Sequence, residues 1–208
     1  SRQAGGSHRH RYPAAASENI TYAYDSCLFG SVCKGRLSSI TDSSGQTLYL
    51  YDARGDIVAA MRVTGGTNYT VTYAYNPAGK RTSVTYPSGR IVNYTLDALG
   101  RINGITTRLN AGSAAQPVVS GINYLPFGPV KSFSYGNGLQ QTLDYDLDYR
   151  VSNIETGVGA NDVHSASYDY DGVNNITAII DGIDAGNDQA FDYDVLNRLS
   201  SATGFWSA

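Results

Sequence analysis

The residues best able to do chemistry in this chain are few, and most of them have a second explanation. Asp144, Asp146 and Asp148, followed by Glu155, stand where the first, third, fifth and twelfth ligands of a calcium-binding loop would stand. The sixth position of that loop needs glycine for its sharp turn. Here it is Tyr149, so no metal site is expected. Asp181, Asp184 and Asp188 form a second acidic stretch that reads as a solvated connection. His8 and His10 lie in a His/Arg-rich leader, and His164 lies beside a predicted loop with no nearby Gly-x-Ser-x-Gly elbow. No glycine-rich phosphate cradle opens a helix. The expectation is therefore no catalytic residue and no cofactor. Asp97 with Arg101 and Asp194 with Arg198 are spaced for ion pairs that set turn geometry more than stability.

Cys27 and Cys33 fit neither a redox CxxC motif nor a zinc ribbon. A local disulfide is the expectation for an exported protein, and two half-buried thiols are the alternative. Four Asn-x-Ser/Thr sequons, at Asn19, Asn68, Asn93 and Asn175, would matter only in a eukaryotic secretory setting.

The elements that must position these groups are strands. Among 208 residues there are 17 tyrosines and 23 glycines, and the net charge is only −3. That composition favours strands and turns over helices. It carries no basic footprint for nucleic acid and no apolar run of about 20 residues that could span a membrane as a helix. Residues 1–18 read as a flexible leader without the apolar core of a signal peptide.

One phrase recurs along residues 19–208. It reads Tyr51-Asp52-Ala53-Arg54-Gly55-Asp56-Ile57, then Tyr75-Asn76-Pro77-Ala78-Gly79-Lys80-Arg81, then Leu96-Asp97-Ala98-Leu99-Gly100-Arg101-Ile102. It returns from Tyr145-Asp146 to Arg150-Val151, from Tyr170-Asp171 to Asn175-Ile176, and from Tyr193-Asp194 to Arg198-Leu199. A first copy, Tyr24-Asp25, holds both cysteines in an insertion before Gly35-Arg36-Leu37. A degenerate copy is Tyr124-Leu125-Pro126-Phe127-Gly128. About eight units thus follow one another at roughly 21 to 29 residues, a period typical of repeat architectures.

Each unit reads as a β-hairpin. Aromatic and small polar residues alternate before the phrase, as in Val71, Tyr73 and Tyr75. Asp or Asn starts the turn by accepting hydrogen bonds from amides ahead of it. Gly, or Asn174 and Asn197, follows at a position expected to be left-handed. In the return strand the pairs Leu37/Ile40, Ile102/Ile105, Val151/Ile154 and Ile176/Ile179 are three apart. This breaks strict alternation and predicts a recurrent bulge. Tyr86-Pro87-Ser88-Gly89-Arg90, Tyr135-Gly136-Asn137-Gly138-Leu139, Ser43-Ser44-Gly45 and Thr64-Gly65-Gly66 are the turns of the opposite edge. The fold class expected is all-β, an antiparallel meander of tandem hairpins in a curved, twisted ribbon. Its tyrosine rings would stack in ladders, and its open terminal strands, beginning with the one that carries Tyr22, would invite self-association.

These residues resemble the RHS/YD-repeat family, whose repeat runs roughly Tyr-Asp-x-x-Gly-Arg-Leu after an aromatic strand. Residues 49–58, 73–102 and 191–199 match closely, residues 121–130 match poorly, and the resemblance covers about residues 20–205. It implies a ribbon of hairpins spiralling into a hollow shell. In bacterial members the shell encloses a C-terminal toxin; in some animal members it is part of a cell-surface adhesion protein. The Asp-Pro-x-Gly-Leu segment that precedes the toxin in bacterial members is absent here, so the chain reads as a piece from the middle of a longer shell. The expected function is a non-enzymatic scaffold that helps enclose a polypeptide toxin. The alternative is a secreted or cell-surface binding scaffold contacting glycan or protein through exposed tyrosines. Expected partners are further repeats, an enclosed polypeptide and copies of the chain itself; the expected location is outside the cell or at its surface.

Overall fold

The structure is a computed structural model that describes residues 8–10, 19–26, 28, 30, 32–126, 128–159 and 161–204. The chain divides into two compact units, one from Ser1–Leu96 with Thr107–Ala115 and the other from Asp97–Thr106 with Gln116–Ala208. The first holds β1 (His8–His10), β2 (Ile20–Tyr24), β3 (Leu37–Asp42), β4 (Gly45–Tyr51), β5 (Ile57–Thr64), β6 (Thr67–Tyr75), β7 (Arg81–Thr85) and β8 (Ile91–Leu96). Each pairs antiparallel with the next. Most of β9 (Ile102–Arg108) belongs to the second unit. That unit continues with β10 (Gln116–Tyr124), β11 (Val130–Tyr135), β12 (Gln140–Tyr145), β13 (Val151–Val158), β14 (Asn161–Tyr170), β15 (Ile176–Asp181), β16 (Gln189–Tyr193) and β17 (Leu199–Gly204). From β10 to β17, successive strands again pair antiparallel. Both units are all-β meanders of tandem hairpins.

The three-residue spacing in the return strands has its cause in the register. Tyr75 pairs with Arg81 and Tyr73 with Val84. Tyr145 pairs with Val151 and Leu143 with Ile154, while Tyr170 pairs with Ile176 and Tyr168 with Ile179. Two residues of the aromatic strand therefore face three of the return strand. One extra residue is accommodated two positions into the return, and the register shifts there in each hairpin. A bulge of this kind keeps the aromatic and aliphatic side chains on one face although they break period two.

Burial is shallow. Among the described residues the buried apolar side chains are Cys33, Ala59, Val84 and Ala166, joined by Ser38, Ser39 and Thr156. Most tyrosines and aliphatics are half-covered. Main-chain ladders and cross-strand pairs, more than a close-packed interior, hold such a sheet together.

Several expectations change. Within residues 1–18, read as a leader, His8–His10 pairs with Ile20–Tyr22. Tyr22 is thus not on an open edge: β2 has β1 on one side and β3 on the other, which satisfies main-chain groups that a terminal strand would leave free. His164 lies not beside a loop but within β14, opposite Thr156. Asp181, Asp184 and Asp188 do not simply face solvent. Asp181 Oδ1 accepts from the Ile183 amide at 2.8 Å, Asp184 Oδ1 caps a short 3-10 turn at Ala185–Asn187, and Asp188 Oδ1 accepts from the Asp181 amide at 2.8 Å.

Candidate functional site

The repeating feature is the hairpin turn, and the sequence builds it locally. The amide of the turn residue donates to the carbonyl four residues on, and the amide three residues on donates back. These bonds are 2.9 and 2.9 Å at Asn76, 2.8 and 3.0 Å at Asp97, and 3.0 and 3.2 Å at Asp171. The closing position has positive φ in Gly55, Gly79 and Gly100, and also in Asn174 and Asn197. The side-chain oxygen of the turn residue then gathers the remaining amides. Asp52 Oδ1 accepts from Arg54, Gly55 and Asp56, each at 2.9 Å. Asp97 Oδ1 accepts from Leu99 and Arg101, and Asp194 Oδ1 from Leu196 and Arg198, between 2.8 and 3.0 Å. The second oxygen takes the Arg Nε at 2.8 Å in Asp97–Arg101, 2.6 Å in Asp146–Arg150 and 2.7 Å in Asp194–Arg198. Asn175 Nδ2 replaces that Arg at Asp171, at 2.8 Å.

Neighbouring hairpins are joined by tyrosine hydroxyls, not by stacked rings. Tyr51 Oη donates to the Leu37 carbonyl at 2.7 Å, Tyr75 to Ile57 at 2.8 Å and Tyr124 to Ile102 at 2.6 Å. Tyr145 donates to Val130 and Tyr170 to Val151, both at 2.7 Å. Each acceptor is the first residue of the preceding return strand, or in β9 and β11 its equivalent. The ring faces carry arginines: Arg36 Cζ lies 5.5 Å from the Tyr51 centroid, Arg101 4.3 Å from Tyr124 and Arg150 4.6 Å from Tyr170. Among the described residues the close ring–ring pair is Phe133–Tyr135, edge-on at 4.9 Å. At Arg101 and Arg150 the guanidinium over the ring face is already held by its aspartate, which favours an ion over the ring rather than ring stacking. The turns also reach sideways. Arg54 Nη1 donates to the Asn76 and Pro77 carbonyls at 3.0 and 2.9 Å, Arg150 Nη1 to Asn174 Oδ1 at 2.7 Å, and Asn175 Nδ2 to Asn197 Oδ1 at 3.2 Å.

The electrostatics follow from these bonds. The Arg101 amide and side chain hold the Asp97 carboxyl below the usual carboxylate range, and Arg198 does the same for Asp194. At Asp52, Asp146 and Asp171 desolvation pulls the other way. It is outweighed by the turn amides together with Arg54, Arg150 or Asn175. Burial pushes the hydroxyls of Tyr51, Tyr145 and Tyr170 up.

The remaining candidates take structural places. Asp146 is consumed by its turn, Asp144 sits opposite Asn153, and Glu155 accepts from Asn153. Among the described residues no group of three His, Cys, Asp or Glu is placed to hold a metal. The first copy keeps the hairpin closure despite its insertion: the Asp25 amide donates to the Arg36 carbonyl at 3.2 Å, and Tyr24 pairs with Leu37. Cys33 is 1% exposed and disulfide-bonded; Cys27 lies outside the described residues.

Two turns of the second unit depart from the pattern. Leu125 replaces the aspartate, yet its amide donates to the Pro129 carbonyl at 3.0 Å and its carbonyl accepts the return bond from the Gly128 amide at 3.0 Å. In the next turn Tyr149 stands at the left-handed position with φ 60°, a conformation that costs a non-glycine residue about 1 kcal/mol. The two departures touch: a Cβ on Gly128 would lie 3.3 Å from Tyr149 Cε1.

The RHS repeat model matches residues 60–91 and 75–113, a span that contains the turns at Asn76 and Asp97 and the opposite-edge turn at Tyr86. Over residues 60–113 the chain carries RHS repeats. No curated protein matches it. Among solved structures, a crystal structure of TcdB2-TccC3-Cdc42 is similar with a TM-score of 0.84, 18% identity, and coverage of 95% of this chain and 11% of that one. TcdB2-TccC3 gives 0.80, 18%, 95% and 11%. A Photorhabdus luminescens Tc holotoxin pore gives 0.77, 18%, 94% and 11%. The likeness is one of fold, and this chain spans about a tenth of the length of those chains. Against the RHS pattern, the turn aspartates, glycines and arginines were legible in the sequence. The lateral roles of Arg54, Asn174 and Asn175 were not. Their signal is a donor or acceptor facing the next copy of the turn, visible only once the hairpins are aligned.

Proposed function

We propose that this chain is a non-enzymatic wall segment of an RHS-type shell that encloses a C-terminal polypeptide toxin, with residues 19–208 forming the wall and His8–His10 pairing with Ile20–Tyr22. The observation that carries the reading is the tyrosine stitch, in which Tyr51, Tyr75, Tyr124, Tyr145 and Tyr170 each bond the hairpin before them. A unit that spends its hydroxyls, guanidiniums and carboxylates on its neighbours can be repeated in register, and few polar groups remain to converge on a substrate. The fold likeness to TcdB2-TccC3 assemblies supports this reading. On it, the partners are further RHS repeats and an enclosed polypeptide, and the protein works outside the cell that makes it. Among the described residues no helix is long and apolar enough to cross a membrane.

The test is limited proteolysis of the longer protein encoded by the parent gene. The expected result is a C-terminal polypeptide protected while the wall is intact and cut once Tyr75→Phe and Tyr170→Phe together loosen it. A C-terminal polypeptide cleaved equally fast in both proteins would overturn enclosure. Saturable binding of this chain on a glycan array would favour a surface scaffold instead.

A further inference from the structure

We propose that the groove over the degenerate turn is a docking site for a peptide segment presenting an apolar side chain next to a carboxylate. The groove, about 560 Å³, is lined by Leu99, Arg101, Tyr124, Leu125, Pro126 and Gly128, a size that accepts a small group. Its walls are apolar because the repeat fails there: Leu125 occupies the aspartate position, and Leu99 at the neighbouring turn tip is 73% exposed. Phe127 lies outside the described residues.

Charge complementarity selects the occupant. Arg150 shows one use of such a guanidinium: Nε holds Asp146 at 2.6 Å while Nη1 reaches Asn174 in the next turn at 2.7 Å. Arg101 keeps the same anchor, Nε to Asp97 at 2.8 Å, and the same place over the next tyrosine, 4.3 Å from the Tyr124 centroid. The next turn, however, has Gly128 where Asn174 would be. Among the described residues neither Nη of Arg101 has an acceptor. The guanidinium is thus fixed in advance with donors to spare, and a fixed arginine binds a carboxylate with little ordering cost. An adjacent apolar side chain covers Leu99, Leu125 and Pro126. The Tyr149 ring lies beside Gly128 in the turn that floors the groove. The site does not depend on whether a toxin is enclosed.

The probes are fluorescein-labelled Leu-Glu-Leu-Leu and Leu-Gln-Leu-Leu, titrated with the 208-residue chain and followed by anisotropy. The glutamate peptide is expected to saturate and to bind about tenfold tighter than the glutamine peptide. Leu99→Ser and Leu125→Asp, the second of which restores the repeat residue, are each expected to weaken it about tenfold with cooperative melting retained. No saturation up to about 1 mM, equal affinity for the two peptides, or undiminished affinity in both variants would overturn the proposal.

Discussion

The turns at 125–129 and 146–150, both in the second unit, close with the same pair of main-chain bonds at 3.0 and 3.0 Å against 2.9 and 3.1 Å. They differ in almost everything else. The later turn gathers two amides and an arginine on Asp146, while the earlier one has a leucine there and keeps Tyr124 paired with Val130 all the same. The hairpin backbone therefore comes from closure and strand register. The aspartate adds something separate: it fixes the arginine, and through the arginine the next turn. At 125 a leucine in its place lines an apolar groove, and Gly128 offers Arg101 no side-chain acceptor of the kind that Asn174 gives Arg150.

The largest expected way to break this comparison is acid. The folded-state carboxyls of Asp52, Asp97, Asp146, Asp171 and Asp194 sit below their ordinary value. A depressed carboxyl contributes stability that is complete above the unfolded value of about 3.9 and is lost as pH falls through the folded one. Amide exchange, corrected for intrinsic rates, is expected to rise below about pH 4 in those turns first. The turn at 125–129, which has no carboxylate, is expected to keep its protection longer. Equal acid sensitivity in the two turns would dissolve the distinction.

Next in size is Gly100→Val. It places a β-branched residue at φ 77° and is expected to cost about 2 kcal/mol in a denaturant melt. Tyr149→Gly does the reverse at the equivalent position and is expected to gain about 1 kcal/mol. A loss would mean that the Tyr149 contact with Gly128 outweighs its backbone strain. Tyr75→Phe removes the bond to the Ile57 carbonyl and is expected to cost about 1 kcal/mol. Smallest is Leu96→Tyr. Leu96 is the repeat position that has no hydroxyl to offer, so a tyrosine there is expected to gain about 0.5 kcal/mol by donating to the Arg81 carbonyl. No gain would show that the stitch needs more than a hydroxyl at the right step.

Much of the fold was legible because its signals are short-range. Asp97, Gly100 and Arg101 act within one turn, and the Ile176/Ile179 spacing betrays a bulge because side-chain direction alternates along any strand. What was misjudged involved partners far along the chain. Ring ladders were expected, but Arg101 over Tyr124 and Arg150 over Tyr170 occupy the ring faces. His164 was assigned to a loop edge because the residues around it carry little apolar pattern, and pairing with Thr156 places it in a strand. The strand at His8–His10 had no local signal, since three residues of any type can complete an edge.

By itself the sequence determined where each hairpin turns, which residue closes it and which side chains share a face, since these depend on dihedral preference and on atoms at most four residues apart. Only the tertiary structure decided which carbonyl each tyrosine reaches, which turn each arginine crosses to, and that the leucine at 125 leaves a groove beside Arg101. Those contacts span roughly twenty residues of chain, and their distances exist only after the strands have chosen a register.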